Sequence, residues 1–130
     1  MTTTQTMTTT EVANRLVELC RQGKNMDAVN ELYADNIVSI EPIGSRAPHT
    51  EGKAAVITKE NEFFSMVEQV HSSAVSDAAV AANYFTLTMK MDMTLKGMGR
   101  MVMDEVCVYK VADGKIVHEQ FIFEIGRAHV

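Results

Sequence analysis

The sequence has little of what marks secreted, membrane-bound or nucleic-acid-binding proteins. Its two cysteines, Cys20 and Cys107, are far apart and nothing else suggests secretion, so we expect both to be reduced thiols. The first ten residues have neither the basic start nor the apolar stretch of a signal peptide. No apolar run approaches the roughly 20 residues that a membrane-spanning helix needs. These absences predict a soluble, cytoplasmic protein.

Clustered positive charge and paired histidines are absent as well. The formal net charge is −5, and the densest basic stretch is confined to residues 96–100. Nucleic acids and anionic membranes are themselves negative, so this balance argues against both as partners. The four histidines show neither HxH nor HxxxH spacing, so we predict no metal site and no cofactor.

The composition that remains is that of one folded domain. The chain has 130 residues, of which 46% are hydrophobic and 22% are charged. That is enough apolar material for one core, and the chain is too short for two comfortable domains. Residues 1–9 read as a flexible, Thr-rich tail, and no repeat or linker interrupts residues 10–130. We therefore predict a single domain over residues 10–130.

Hydrophobic periodicity predicts helices first and strands after them. Thr10 is expected to cap the first helix and Asn25 the second, which should stop near residue 36. The predicted helices span 10–23, 25–36 and 53–66, and the predicted strands span 37–41, 67–75, 80–95, 100–111 and 115–125. A loop is predicted at 43–52 and a hairpin turn at 112–114. This order is an α+β pattern.

The strand over residues 80–95 carries the clearest pattern. Phe85, Leu87, Met89, Met91 and Met93 alternate with polar residues, so one face is buried and the other is polar. Six of the ten methionines lie between residues 89 and 103. They form either an ordinary core or a pliable wall for an apolar ligand, and one face can be both at its two ends.

Two local stretches carry a resemblance to a known family. Asn25–Pro42 reads NMDAVNELYADNIVSIEP, and Tyr109–Val117 reads YKVADGKIV. With the order of elements, they resemble the nuclear transport factor 2-like superfamily, in its SnoaL-like and ketosteroid-isomerase-like branch, over nearly all of residues 10–125. The resemblance implies an α+β, cystatin-like cone in which amino-terminal helices pack in a curved antiparallel (mixed) sheet. It also implies a ligand that enters the open end and a homodimer that pairs through the outer sheet face.

Glu41 is the first candidate for catalysis. The resemblance places it where ketosteroid isomerases have their general base, an aspartate, at the end of the first strand. Desolvation in an apolar cavity raises the pKa of a carboxylate and strengthens it as a base. The alternative is a charged residue facing solvent at a strand end. The family's oxyanion donors correspond to Leu16 and Cys107, which cannot donate strong hydrogen bonds, so ketosteroid isomerase activity is not expected.

Two further glutamates are catalytic candidates. Glu105 shares its strand face with Cys107 and Tyr109, and the resemblance puts Val117, Glu119, Phe121 and Phe123 on the pocket face of the last strand. A register slip of one residue would turn Glu105 and Glu119 outward instead. Three carboxylates on apolar walls cannot all ionise cheaply, so one is protonated or a cation compensates it. A shared proton would give one acid and one base.

The remaining predicted site residues are expected to bind the ligand, with Tyr33 or Tyr109 as a positioning hydroxyl. They are Tyr33, Phe63, Phe85, Leu87, Met89, Met91, Met103, Cys107, Tyr109, Phe121 and Phe123. The hypothesis is a pocket for a small apolar molecule that supports cofactor-independent isomerisation, cyclisation or dehydration. The alternative is a non-catalytic ligand-binding or dimerisation module.

Overall fold

The computed structural model describes residues 5–124, and within them it contains three helices and seven strands. The helices are α1 (Thr9–Arg21), α2 (Asn25–Leu32) and α3 (Lys53–Met66). The strands are β1 (Tyr33–Ile40), β2 (His49–Glu51), β3 (Val67–Val75), β4 (Ala79–Ala81), β5 (Tyr84–Leu95), β6 (Gly99–Ala112) and β7 (Lys115–Ile122). The predicted α+β class is confirmed.

Helix α1 begins one residue before the expected cap. Thr8 and Glu11 form a capping box, in which the Glu11 amide donates to Thr8 Oγ1 at 3.1 Å and the Thr8 amide to Glu11 Oε1 at 2.8 Å. Thr10 therefore lies inside the helix. Just ahead of the cap, Met7 packs against the hydrophobic core, so the predicted tail contributes at least this contact. Residues 1–4 lie outside the described residues.

The second helix is shorter than predicted, because tertiary pairing competes with local periodicity. Helix α2 ends at Leu32, and Tyr33, which was expected inside it, begins β1. Strand β1 runs parallel to β7, with Tyr33 opposite Ile116 and Ser39 opposite Glu119. The register shifts between Tyr33 and Val38, where a bulge accommodates the extra residues.

The strands form one mixed sheet in the order β2-β1-β7-β6-β5-β3, with β4 paired to β5. The pairing of β1 with β7 is parallel and the other pairings are antiparallel. Strands β2 and β3 are its edges, so the sheet is not closed. Short β2 lies inside the predicted loop over residues 43–52.

Two predicted strands have different bounds in the structure. The strand expected over 80–95 divides into β4 and β5, because the chain turns at Ala82, whose φ is +53°. The last strand ends at Ile122, and Ile125 lies outside the described residues. Between β6 and β7, Asp113 and Gly114 form the predicted hairpin turn, with φ of 51° and 75°.

The core lies between the helices and one face of the sheet. Phe85 and Tyr109 stack there with ring centroids 4.7 Å apart, and Leu16 of α1 belongs to the same buried cluster. A register shift between β6 and β7 places Ile116 in the core instead of Val117, which was expected to face inward. Within residues 5–124, no helix is both long and apolar enough to cross a membrane.

Candidate functional site

The site begins with Glu119, a carboxyl with no exposed surface in the middle of β7. The Tyr33 hydroxyl donates a hydrogen bond to Glu119 Oε1, and the Ser39 hydroxyl donates one to Oε2 at 2.7 Å. The parallel pairing of β1 with β7 sets Ser39 directly beside Glu119. Burial raises the pKa of Glu119, while the two hydrogen bonds oppose that rise by favouring the carboxylate.

Lys59 of α3 connects this buried carboxyl to a second one. Its Nζ donates to Ser39 Oγ at 2.8 Å and to Glu41 Oε2 at 2.8 Å. The Lys59 and Glu41 side chains are only 14% and 19% exposed, so their ion pair is largely shielded from water. A continuous chain of hydrogen bonds therefore runs from Glu41 through Lys59 and Ser39 to Glu119 and Tyr33.

Glu60 and Glu105 complete a set of four carboxyls, with Glu41 and Glu119, that we call the carboxyl cluster. Burial, reinforced by Glu119 and Glu41, raises the pKa of Glu60 to about 7. Burial, reinforced by the other three carboxyls, raises the pKa of Glu105 to about 8. Lys59 lowers both values in part. Burial and the neighbouring negative charges thus raise the pKa values of these two carboxyls into the neutral pH range.

These two carboxyls differ from the other members of the cluster in their partners. Within residues 5–124, the Glu60 carboxyl forms no hydrogen bond, and the Glu105 carboxyl is contacted by the Cys107 thiol at 3.9 Å. Both side chains are half-buried. They are therefore the members of the cluster that no hydroxyl, amide or ammonium group engages among the described residues.

Predicted ligand-binding residues occupy two parts of the inner sheet face. Buried beneath the helices, as part of the core, are Phe85, Leu87, Cys107 and Tyr109. A second set of these residues is half-buried, and we call it the apolar wall. Met89, Met91, Met103 and Phe121 lie on the same sheet face as Glu105 and Glu119, and Phe123 follows the end of β7. Farther along β5, Met93 and Leu95 are buried on the same face, so this half-buried set lies between two buried parts of the sheet.

The two predicted aromatic residues outside these groups differ in their surroundings. Tyr33 is buried, and its hydroxyl is committed to Glu119. Phe63 of α3 is half-buried and packs edge-to-face on Phe64 with ring centroids 5.3 Å apart. Tyr33 is therefore placed to orient Glu119 more directly than to contact a ligand.

Two surface hollows lie away from the carboxyl cluster. One of about 660 Å³ lies between α1 and Asp77–Ala78, where Arg21 pairs with Asp77. The other, of about 400 Å³, lies on the outer sheet face beside Tyr84 and Lys110. Neither hollow is lined by a member of the carboxyl cluster, so the surface hollows and the acid/base groups lie in different parts of the molecule. Converging acid/base groups are the more specific mark of a reactive site, so the carboxyl cluster is the candidate site.

Sequence reasoning missed Ser39, Lys59 and Glu60. Ser39 alternates with Ile37 in β1 and with Glu41 just after it, so its inward position could be predicted from the period of two. The helix offered a signal as well, since Lys59, Glu60 and Phe63 follow buried Val56 at spacings of three, four and seven residues. Two adjacent charged residues on a helix nevertheless read first as a solvated face.

The two cysteines and His71 differ from the carboxyl cluster in their surroundings. Both thiols are buried and unpaired. Burial raises the pKa of Cys20 to about 12 and raises that of Cys107 as well, so both stay protonated and poorly nucleophilic. His71 is exposed, with Nε2 at 2.7 Å from Thr94 Oγ1. Among residues 5–124, no three His, Cys, Asp or Glu side chains are grouped to hold a metal ion.

Comparisons with known proteins agree on one family. A family model of the SnoaL-like domain matches residues 7–123. A solved candidate SnoaL-like polyketide cyclase from Mesorhizobium loti is 36% identical, with a TM-score of 0.83 over 88% of this chain and 98% of the other. Among curated proteins, none matches the sequence.

Two further solved structures share the fold at lower identity. A candidate isomerase from Bacillus subtilis is 19% identical, with a TM-score of 0.72 over 91% of this chain and 90% of the other. A protein of unknown function with a cystatin-like fold from Xanthomonas campestris is 15% identical, with a TM-score of 0.76 over 93% of both chains. At these identities the likeness concerns the fold alone, and one fold serves many activities.

Proposed function

This chain belongs to the SnoaL-like domain family, and we propose that its carboxyl cluster is a cofactor-independent acid/base site for a small, largely apolar molecule. Membership confirms the resemblance seen in Asn25–Pro42 and Tyr109–Val117. One observation carries the proposal: four carboxyls and one lysine, contributed by β1 with its following loop, α3, β6 and β7, converge beside an apolar wall. Carboxyls with raised pKa values that come together from separate elements mark a candidate reactive site.

The hydrogen-bond partners and pKa of each carboxyl suggest its role in the proposed reaction. Glu41 is engaged by Lys59, and Glu119 is engaged by Tyr33 and Ser39, so these two organise the site. Glu105, with a pKa of about 8, holds its proton at neutral pH and is suited to be the general acid. Glu60, with a pKa of about 7, is half ionised there and is suited to be the general base.

Such a pair catalyses reactions in which a proton leaves one atom of a molecule and returns at another. The base takes a proton from a carbon, the bonding electron pair shifts along the molecule, and the acid delivers a proton where the charge accumulates. Atoms and electrons balance without an oxidant or a metal, as in isomerisation, cyclisation or dehydration. The apolar wall favours these steps, because desolvation strengthens the base and stabilises the neutral acid.

Replacing Glu60 or Glu105 by glutamine is expected to lower proton transfer to a bound ketone by about 100-fold. Glutamine keeps the shape of the side chain but cannot take up or release a proton. The measurement follows solvent deuterium entering the α-position of an apolar ketone such as 2-tetralone by proton NMR. Glu62→Gln is the matched control, since Glu62 lies on the same helix but its side chain is 62% exposed.

Exchange at the wild-type rate in both Glu60→Gln and Glu105→Gln would contradict these assignments. Exchange that does not exceed the buffer rate with the wild-type protein, across a panel of apolar ketones, would contradict the catalytic proposal itself. The second result would favour the alternative, a non-catalytic binding module.

The outer face of the sheet supports that alternative, as a dimerisation surface. Val106 and Ile122 are directly opposite on β6 and β7, yet they are 41% and 50% exposed. Tyr84 on β5 is 47% exposed on the same side. Neighbouring exposed apolar side chains on a sheet face are suited to burial against another protein surface. We propose a second copy of this chain as the occupant, as in the family's sheet-paired dimers.

Val106→Lys is therefore expected to convert a dimer into a monomer, because it would bury two lysines at a symmetric contact. Light scattering coupled to gel filtration measures the mass directly. Ile43→Lys is the control, since Ile43 is 96% exposed in the loop after β1 and lies off the sheet face. A wild-type protein that is monomeric at high concentration, or a Val106→Lys variant that stays dimeric, would rule out this surface.

A further inference from the structure

Lys59 has an unused donor at the edge of the apolar wall, and we propose that it binds a negatively charged oxygen of the ligand. The inference rests on the proposed acid/base function and adds a ligand class to it. That class is an apolar molecule with one acidic oxygen, such as a phenol or an enol. The family's oxyanion donors correspond to Leu16 and Cys107, and both are buried in the core. Neither side chain can donate a strong hydrogen bond to such an oxygen.

The hydrogen bonds of Lys59 leave room for a ligand. An ammonium group has three N–H donors. Two are used, one on Ser39 Oγ and one on Glu41 Oε2, each at 2.8 Å. Within residues 5–124, the third meets no oxygen acceptor, so an incoming oxygen would not have to displace a protein partner.

The position of the ammonium group ties it to the predicted ligand surface. Its Nζ lies 5.6 Å from the centroid of the Phe121 ring. Phe121 belongs to the apolar wall and pairs with Cys107, the neighbour on β6 of Glu105 along the same face. An apolar ligand against Phe121 would therefore have Lys59 at one end and the proton-carrying Glu105 close by.

The charges around Lys59 decide which ligands can bind. The titratable groups that face it are Glu41, Glu60, Glu105 and Glu119, with the Tyr33 hydroxyl behind Glu119. Below about pH 7 both Glu60 and Glu105 carry protons, so they do not repel an oxygen anion and can themselves donate to it. A ligand ammonium group carries donors only, so it could not accept the remaining N–H of Lys59.

In the proposed reaction, the same contact would stabilise the charge that develops. When Glu60 takes a proton from the carbon beside a carbonyl, the electron pair of the broken C–H bond forms a C=C bond and the carbonyl oxygen becomes negative. A preorganised ammonium group aimed at that oxygen lowers the barrier, because it needs no reorganisation at the moment of reaction. Lys59 would thus provide the electrostatic stabilisation that the positions of Leu16 and Cys107 cannot.

Two small probes of nearly equal shape test the inference, p-nitrophenol and nitrobenzene. Both are titrated near pH 6 into protein with labelled methionine methyl groups, so that Met89, Met91 and Met103 report binding at the apolar wall. The pKa of the bound phenol is read from the colour of its phenolate. We expect both probes to bind, and the phenolate to bind about tenfold more tightly than the phenol, which lowers the pKa of the bound probe by about one unit.

Variants of Lys59 separate a direct contact from a general effect. Lys59→Met is expected to remove the preference for phenolate while nitrobenzene binding persists, and Lys59→Arg is expected to keep a reduced preference. Lys53→Met is the control, because Lys53 lies on the same helix and donates to the Asn30 carbonyl at 2.7 Å, away from the carboxyl cluster. It should behave as the wild type.

The outcomes distinguish this inference from the proposal beneath it. Nitrobenzene binding without any phenolate preference, or a preference that survives in Lys59→Met, would overturn the role of Lys59 and leave the acid/base site standing. If neither probe shifts the methionine signals, the apolar site is not a ligand site, and both proposals fall. A preference lost in Lys59→Met and unchanged in Lys53→Met would support the role of Lys59.

Discussion

Replacing Glu119 by alanine is expected to lower the free energy of unfolding by roughly 3–5 kcal/mol. The buried hydroxyls of Tyr33 and Ser39 would lose their acceptor, at about 1–3 kcal/mol for each orphaned group, and a cavity would remain between β1 and β7. Lys59 would also lose the end of its hydrogen-bond chain. Urea denaturation followed by circular dichroism measures the change.

Glu119→Gln is the informative companion variant. The amide keeps the volume and one oxygen acceptor, and it removes a carboxyl whose pKa burial already raises. We expect it to unfold within about 1 kcal/mol of the wild type. Glu62→Ala, an exposed change on α3, should be neutral. An alanine variant as stable as the glutamine variant would show that Tyr33 and Ser39 do not depend on the carboxyl.

Glu105→Gln is expected to make the protein more stable in alkaline solution although it removes the proposed general acid. The pKa of Glu105 rises from 4.5 to about 8 on folding, so the folded protein holds a proton that the unfolded chain has released. The stability that Glu105 contributes to the fold is therefore fully present below pH 4.5, and it is lost as the pH rises through about 8. Glutamine does not titrate and removes this loss.

The size of that gain follows from the shift. A change from 4.5 to about 8 corresponds to roughly 5 kcal/mol, and partial exposure of the side chain reduces this to about 2 kcal/mol near pH 9. Thermal melts from about pH 5 to pH 9 should converge at the acid end and separate at the alkaline end, with a residual slope from Glu60 and Glu119. Asp104→Asn, on the outward neighbour in β6, should follow the wild type. Parallel curves for Glu105→Gln and the wild type would show a solvated carboxyl.

The fold was predictable where local pattern and tertiary structure agree. Strict alternation identified β5 and its buried face, and an Asp-Gly turn identified the hairpin between β6 and β7. The helix limit at Leu32 was not predictable, because Tyr33 joins β1 through its pairing with residue 116, far along the chain. Nor was the break at Ala82, since a positive φ there is set by how β4 folds back onto β5.

The site, too, was predictable only where local pattern positions its residues. Alternation along the strands predicts that Glu105 shares a sheet face with Cys107 and Tyr109, and Ser39 with Ile37, and the structure agrees. Lys59 and Glu60 could not be assigned to the site from the pattern of α3, whose single fully buried residue is Val56. What brings Lys59 against Ser39 is the packing of α3 across β1, a contact that no local pattern contains. The sequence left open whether a proton or a cation compensates the carboxylates, and the structure has Lys59 beside Glu41.

The parallel pairing of β1 with β7 has a consequence for the order in which the molecule folds. Ser39 and Glu119 are 80 residues apart, so their contact closes a loop that contains most of the chain. Closing so long a loop costs more entropy than forming the local β5, β6 and β7 hairpins, so we expect this pairing to follow them. The refolding chain should therefore assemble its hairpins first and acquire its carboxyl cluster last. Amide hydrogens along β1 should correspondingly exchange before those at the centre of β6.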